Sequence, residues 1–552
     1  MNVKGVKMPI QNKGTTTLNL LRRKDDGVKS PHTGLVVMNE KYVDKLLDSI
    51  EYHYNINMCS MYLYPFNLFS TNVCSDMVFN NSHQLIRLYE KRDKVFEHGC
   101  VYYSLIRNRK RNRFMKRKVF VKELPLVNYE TYLDNIDEAD GASPLFPNIY
   151  RQKINDYIYS YNNPSYVDVM CHYLCSRLTE DDILPHFPLF YGAVATMFRK
   201  YTHVFGSGDE YDTFLDCYVY DEDGSVRGEG EDKEGDRGSV PSPESCHLEE
   251  IVDDISDINS EDLKTMKERR SVSRNHKRFR IINKEDKDKI ELRNYPVCLM
   301  ATELLNLDFN EFIKVANSEY VGKTEDDVPI TTHRVYNPET YNKTLLSILF
   351  QTITALTVVQ NLWKMCHNDL HLGNIMLNRT KQTHLNYYVK GAYYRVPTFG
   401  MIVKIIDWNR ATLVYKDHVV KNNVYFTEGE CAEMYYWDTT AKKKKPVNEP
   451  NPSFDLGLLA YELLTHDKIT DKKSKLHKML MDWLNMDGGG NVYTHLREEY
   501  GEGDDGGFEL YRLIATTCRS AVPKEQFSKP IWQQFKVDKS KIPKEETIYT
   551  VM

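Results

Sequence analysis

The 552 residues carry 73 Lys and Arg against 78 Asp and Glu, for a net charge of -5, with 27% charged and 41% apolar residues. Charge this close to balance gives no global electrostatic reason to bind nucleic acid, and the two fractions are those of a globular protein. Such a length holds roughly two to four structural units of ordinary size. The 11 cysteines are scattered, with no C-x-x-C pair, as free thiols in a reducing, intracellular compartment would be. Cys171 and Cys175 stand four apart, a helix-face spacing rather than a metal-ligand one. No uninterrupted apolar run approaches the ~18 residues of a membrane span, and "MNVKGVKMPIQNKG" lacks the apolar core of a secretory signal.

The first 40 or so residues are polar. From Lys41 to Leu88, aromatic and apolar residues mix with Asn and Ser, and no element is assigned. Glu97–Leu124 predicts two strands, "CVYYSLI" and "KVFVKEL", joined by a very basic turn. "YVDVMCHYLCSRL" (Tyr166–Leu178) has helical spacing, and Ile183–Phe198 reads as strand. From Gly206 to about Asp262 the chain is rich in Gly, Asp, Glu and Ser, too poor in apolar surface to offset its ordering entropy, and is expected to be a disordered insert. A basic stretch follows at Lys264–Arg280, read as a solvated segment offsetting its acidic neighbour. Tyr295–Lys314 predicts a strand and then a helix, and Thr344–Met365 a long apolar helix. "MIVKIID" (Met401–Asp407) is a strand ending in an acid. "FDLGLLAYELL" (Phe454–Leu464) is a further apolar helix, and the rest to about Phe535 reads as mainly helical.

Between the long helix and the strand lies "KMCHNDLHLGNIML" (Lys364–Leu377). A buried helix would not tolerate that density of polar groups, whereas a catalytic loop needs it. His367, Asp369 and Asn374 fit H-x-D-x-x-x-x-N, the catalytic-loop pattern of protein kinases. Asp407 in "KIIDWN" adds a second acid at a strand end. Carboxylates and an amide converging there suit hard cations, which take oxygen ligands.

The resemblance to the protein kinase-like superfamily extends in order from about Gly99 to Leu464. It implies an α+β, two-lobed fold: a small antiparallel sheet with one helix, and a larger, mainly helical lobe. The boundaries it suggests are a poorly assigned extension at 1–90, a first lobe at 91–305 interrupted by the insert at about 206–280, a second lobe at 306–535, and a tail at 536–552. It further implies that Asp369 is the catalytic base, that Asn374 and Asp407 hold Mg2+ (or Mn2+), and that Lys122 of "VFVK" anchors the ATP phosphates, with Asp168 as its helix partner. Gly99 and Val101 of "GCVY" resemble the end of the glycine-rich loop and the valine over the base. In "LMATELL", Thr302 falls at the gatekeeper place, while Glu303 and Leu305 offer backbone groups to adenine. His367 would hold the loop backbone, and Asp455 would support the loop from below. "HNDLHLGNIM", "PHFPLFYG" and "VPTFGMIVKIID" look most like the divergent serine/threonine kinases of large DNA viruses, the iridovirus type among them. That likeness implies an intracellular protein, in host-cell cytoplasm or virion.

Several positions depart from the pattern. Trp408 and Asn409 follow the metal Asp where Phe and Gly are usual, and Asn409 is expected to take the left-handed conformation a glycine would. His371 replaces a lysine that commonly contacts the transferred phosphate. No A-P-E closes the activation segment, where Tyr435, Tyr436, Thr439 and Thr440 stand beside a basic run. Nineteen residues, "RTKQTHLNYYVKGAYYRVP", read as an added hairpin before Met401. The expected function is an ATP-dependent serine/threonine kinase acting on protein substrates, with neither membrane nor nucleic-acid partner and the oligomeric state open. The alternatives are a small-molecule kinase of the amino sugar or choline type, favoured by His371, and a pseudokinase scaffold, favoured by the thin glycine loop and the missing helix Glu.

Overall fold

A computed structural model describes residues 30–70, 77–91, 99–134, 158–205, 208–219, 279–281, 289–317, 322–323, 329–330, 338–426, 429–435, 449–466, 472–501 and 506–552. Within them the chain mixes helices with mainly antiparallel sheet, in keeping with the α+β expectation. In chain order the first part runs α1 (Glu40–His53), β1 (Ile56–Ser60), β2 (His83–Lys91), β3 (Gly99–Asn108), β4 (Arg113–Pro125), α2 (Pro164–Glu180), β5 (Phe190–Val204), α3 (Gly208–Tyr218) and β6 (Lys289–Glu303). The strands form one antiparallel sheet in the order β1-β5-β6-β4-β3-β2, with Phe279–Ile281 added alongside β6.

Alternation along β4 sets the two faces of this sheet. Val119 and Val121 are buried in an apolar cluster with Leu46 and Ile50 of α1. Leu124, on the other face, joins a second cluster with Val169 and Met170 of α2. Asn163 caps α2 by accepting from the Ser165 N–H at 3.0 Å, and Pro164 opens it. From Ser165 to Leu178 every residue of α2 is buried. Its polar side chains therefore need partners inside the protein.

The second part contains α4 (Phe309–Asn317), α5 (Pro338–Trp363), β7 (Ile375–Arg379), β8 (His384–Val389), β9 (Ala392–Pro397), β10 (Met401–Ile405), α6 (Phe454–His466) and α7 (Phe508–Thr517). The helix Glu339–Trp363 is long and apolar enough to cross a membrane, but 89% of its apolar 18-residue window is buried inside the protein, so α5 is a core helix. Buried hydroxyls of Thr344, Thr352, Thr354 and Thr357 donate to the carbonyls four residues earlier, which leaves no polar orphan among them. Lys364, with φ 51°, turns the chain out of the helix and into the polar loop. β7 and β10 pair antiparallel, with Ile375 opposite Ile405. β8 and β9 form the added hairpin, turned by Lys390 and Gly391, both at positive φ.

Three stretches differ from the expected organisation. Residues up to 90 are more than an extension, because β1 and β2 are strands of the main sheet; Leu85, Ile86 and Leu88 supply the buried surface. The insert, expected to be disordered from Gly206, opens with helix α3. Tyr211 and Phe214 are buried there, packed on Phe205 at 5.3 Å each. Residues 220–278, with the acidic run and nearly all of the basic one, lie outside the described residues, as do 1–29. The tail also contributes structure: Lys536–Val537 pairs with β9, and Ile548–Thr550 pairs parallel with β8.

Candidate active site

Strand register gathers the first group of site residues. Gly99 lies opposite Lys122, and Val101 opposite Phe120. Lys122 and Phe120 in turn lie opposite Met300 and Thr302. Directly opposed residues project to the same side of a sheet, so Gly99, Val101, Lys122 and Thr302 share one face. Gly99 sits in a strand, and its lack of a side chain answers a packing need. A Cβ there would come within 2.5 Å of the Phe120 ring and 2.6 Å of the Val121 carbonyl. The chain just before it, 92–98, lies outside the described residues.

Lys122 Nζ donates to two carboxylates, Asp168 Oδ2 at 2.9 Å and Asp407 Oδ1 at 2.7 Å. Burial works against its charge, but the two carboxylates outweigh burial and hold its pKa above the ordinary lysine value. Asp168 is fully buried on α2. Its other oxygen accepts from the Trp408 N–H at 2.7 Å and lies 2.9 Å from His172 Nδ1. Burial alone would raise the Asp168 pKa; Lys122 and His172 reverse that and depress it. Lys122, Asp168 and Asp407, separate in sequence, are thus brought into one cluster.

Asp407 follows β10 with φ 63°. The left-handed residue of this turn is therefore Asp407 itself, and Asn409 is not among the residues with positive φ. Placing the bend at Asp407 lets the next peptide N–H reach Asp168. Trp408 is fully buried, with its ring 4.6 Å from that of His367 and 6.2 Å from that of Phe187. It packs as an apolar plug between them.

The polar loop is tied down at each backbone turn. Asp455, the second residue of α6, accepts from the N–H groups of His367 at 3.1 Å and Asn368 at 2.9 Å. Burial raises the Asp455 pKa against the pull of His367 and those two N–H groups. His367 Nε2 meets the Ile406 carbonyl at 2.8 Å, and the Ile406 N–H donates to the Asn374 carbonyl at 3.1 Å. Asn374 and Asp407 therefore stand at adjoining strand ends. The Asn374 amide nitrogen donates to the Asp369 carbonyl at 2.8 Å. His371 turns into the loop: its Nδ1 accepts from the Gly373 N–H at 3.1 Å, and its Nε2 lies 3.0 Å from the Asn374 amide.

The edge expected to face adenine is partly committed to the fold. The Glu303 N–H donates to the Leu189 carbonyl at 2.8 Å, and its carboxylate accepts from the Leu189 N–H and Asn378. With its N–H committed, the expected backbone group of Glu303 would be its carbonyl. Leu305 lies half-buried in the irregular stretch after β6.

Four further residues were not singled out for the site. Asn368, between His367 and Asp369, has φ 63° and donates to the Arg410 carbonyl at 3.1 Å. The Tyr435 hydroxyl donates to Asn368 Oδ1 at 2.6 Å from a fully buried position. Tyr436, Thr439 and Thr440 lie outside the described residues. Arg410 and Tyr511 both reach Asp369 Oδ1, at 3.3 Å and 2.8 Å. Only the run "DWNR", with a cation three residues after the strand-end acid, could have pointed to Arg410; nothing local points to Tyr511.

A sheet lysine, a helix carboxylate, a polar loop and a strand-end aspartate are thus brought together. No family model matches the chain. It is 31% identical over 135 residues to the serine/threonine-protein kinase haspin of Mus musculus, a match covering 23% of this chain and 18% of that protein. It is 37% identical over 70 residues to haspin of Bos taurus, covering 13% and 9%. It is 25% identical over 143 residues to the haspin homolog of Drosophila melanogaster, covering 24% and 25%. The matches thus span a quarter or less of these relatives, and they support a protein kinase-like family for this chain.

Proposed function

We propose that the chain is an ATP-dependent serine/threonine protein kinase of two lobes, with nucleotide bound between the sheet and the polar loop. The observation that carries this reading is the meeting of Lys122 with Asp168 and Asp407 beside the Asn374 loop. In this reading Lys122 leaves Asp407 to hold the α- and β-phosphates. Asp369 orients a protein Ser or Thr hydroxyl and takes its proton as the oxygen bonds to the γ-phosphorus, and ADP departs with the bridging oxygen. Gly99 and Val101 roof the nucleotide, Thr302 borders the pocket, and the Glu303 carbonyl and Leu305 backbone edge the base. His371 steadies Asn374.

The donor set fits a divalent cation. The Asp407 carboxylate and the Asn374 amide oxygen are hard ligands at adjoining strand ends, and Mg2+ usually takes one or two such groups plus phosphate oxygens. Among the described residues no group of three or more His, Cys, Asp and Glu forms a metal site without ATP. A cation bound here with ATP would neutralise charge on the phosphates. None of the nine described cysteines is joined in a disulfide, which suits the proposed intracellular placement. The finer likeness to kinases of large DNA viruses rests on the quoted phrases alone.

The experiment is transfer of radiolabelled phosphate from ATP to casein and myelin basic protein, and separately to amino sugars and choline. Wild type is expected to label protein, and Asp369→Asn to lose at least about 100-fold while keeping its melting temperature. Labelling of the small molecules only would assign the scaffold to the other kinase class. Undiminished protein labelling by Asp369→Asn would reject Asp369 as the base.

A further inference from the structure

The lysine that usually stands two residues after the catalytic Asp is here His371, and the loop itself engages its ring. The Asp369 carboxylate instead meets two groups from distant parts of the chain, the Arg410 guanidinium and the Tyr511 hydroxyl. Both reach the same oxygen, Oδ1. The pair is mutually braced, with the Arg410 guanidinium carbon 5.7 Å from the Tyr511 ring centre. Tyr511 stacks on Phe508 at 6.2 Å and leans on Phe454 at 5.9 Å. Phe454 opens α6, whose next residue, Asp455, holds the loop backbone. Arg410 Nε reaches Glu430 at 3.4 Å. The carboxylate is therefore fixed from α7, from the turn after β10 and, through the backbone, from α6.

The division between its two oxygens is informative. Oδ1 takes both partners. Among the described residues no hydrogen bond reaches Oδ2, and Oδ2 is not a buried orphan. A carboxylate with one oxygen clamped and the other open has a defined orientation and a free acceptor. We propose that Tyr511 and Arg410 are positioning residues for phosphotransfer. They clamp Oδ1 of Asp369 so that Oδ2 faces the acceptor hydroxyl and receives its proton. Arg410 supplies a fixed cation beside the carboxylate. The inference rests on the reading of Asp369 as the base. The opposite reading, in which the Tyr511 hydroxyl blocks the acceptor's place, fits the open Oδ2 less well.

The test compares wild type, Tyr511→Phe, Arg410→Ala, Arg410→Lys and Asp369→Asn in steady-state labelling of a protein acceptor. Tyr511→Phe keeps the ring and its stacking and removes only the donor, so the fold is preserved. Its kcat, and that of Arg410→Ala, is expected to fall roughly 10- to 100-fold, as loss of a hydrogen bond to a charged group would give. The KM for ATP and the thermal shift on adding Mg·ATP should stay at wild-type values, which a general structural defect would not allow. Arg410→Lys should recover part of the loss, since it restores charge without the fork. Wild-type kcat in Tyr511→Phe and Arg410→Ala, with Asp369→Asn inactive, overturns the positioning role and leaves the base standing. A faster Tyr511→Phe overturns it in favour of a blocking contact. An active Asp369→Asn overturns both.

Discussion

Asp168 shows how a shorter acid can serve where the kinase pattern leads one to expect Glu. It lacks one methylene of reach, and the helix compensates by closeness. Its second oxygen is held by the Trp408 N–H, which draws the turn carrying Asp407 against α2. Lys122, part-buried, then completes a network of one cation and two carboxylates in which Asp168 is fully buried and Asp407 partly exposed. Removing one charge from such a network leaves its partner buried and under-compensated. Asp168→Asn is expected to destabilise the fold by about 3 kcal/mol in urea unfolding and to raise the KM for ATP. An unchanged unfolding midpoint would mean that Lys122 is satisfied by Asp407 alone. At this scale the island was legible because its chemistry is contiguous: His367, Asp369 and Asn374 lie within eight residues. Arg410 and Tyr511 were not singled out, being 41 and 142 residues from Asp369, with only the run "DWNR" to hint at Arg410 and no local pattern for Tyr511. The left-handed bend after β10 was assigned to Asn409 by analogy with glycine, whereas the backbone places it at Asp407.

At the scale of elements, the segment between α2 and β5 bolts the sheet to β10. His186, fully buried, meets the Val403 carbonyl at 3.1 Å through Nδ1 and the Tyr387 hydroxyl at 2.8 Å through Nε2. The Ile405 N–H donates to the His186 carbonyl at 3.1 Å. Burial lowers the His186 pKa from 6.5 to about 3, despite the Val403 carbonyl. The folded protein therefore keeps this ring neutral over a range in which the unfolded chain protonates it. Its contribution is full above about pH 6.5 and is lost progressively as the pH falls toward 3, on the order of 4 kcal/mol in all. Urea midpoints measured from pH 7 to pH 4 should fall steeply for wild type and less steeply for His186→Gln. Parallel curves would show that other groups carry the acid sensitivity. Periodicity made most of these elements legible, including α5, and the added hairpin was legible from the extra length before Met401. The start of the insert was misread because composition averaged over a long window hid Tyr211 and Phe214. β2 was missed because its pairing with β3 is a property of the sheet, not of its own residues.

At the scale of the molecule, one seven-stranded sheet presents Gly99, Val101, Lys122 and Thr302 on one face, and β7 and β10 bring Asn374 and Asp407 to adjoining strand ends. The order of these parts along the chain was readable from the sequence. Their closure around a shared point was not, because it depends on contacts such as Lys122 to Asp407, 285 residues apart. In the proposed function, this point receives Mg·ATP. The most direct measurement is the melting temperature of wild type and Asp407→Ala with ATP, with and without magnesium. Ligand binding to the native state must stabilise it, so saturating Mg·ATP should raise the wild-type value by about 3 °C or more. Chelating magnesium should remove most of that rise, and Asp407→Ala should not show it. A wild type indifferent to Mg·ATP, or an Asp407→Ala variant stabilised as much as wild type, would contradict the account.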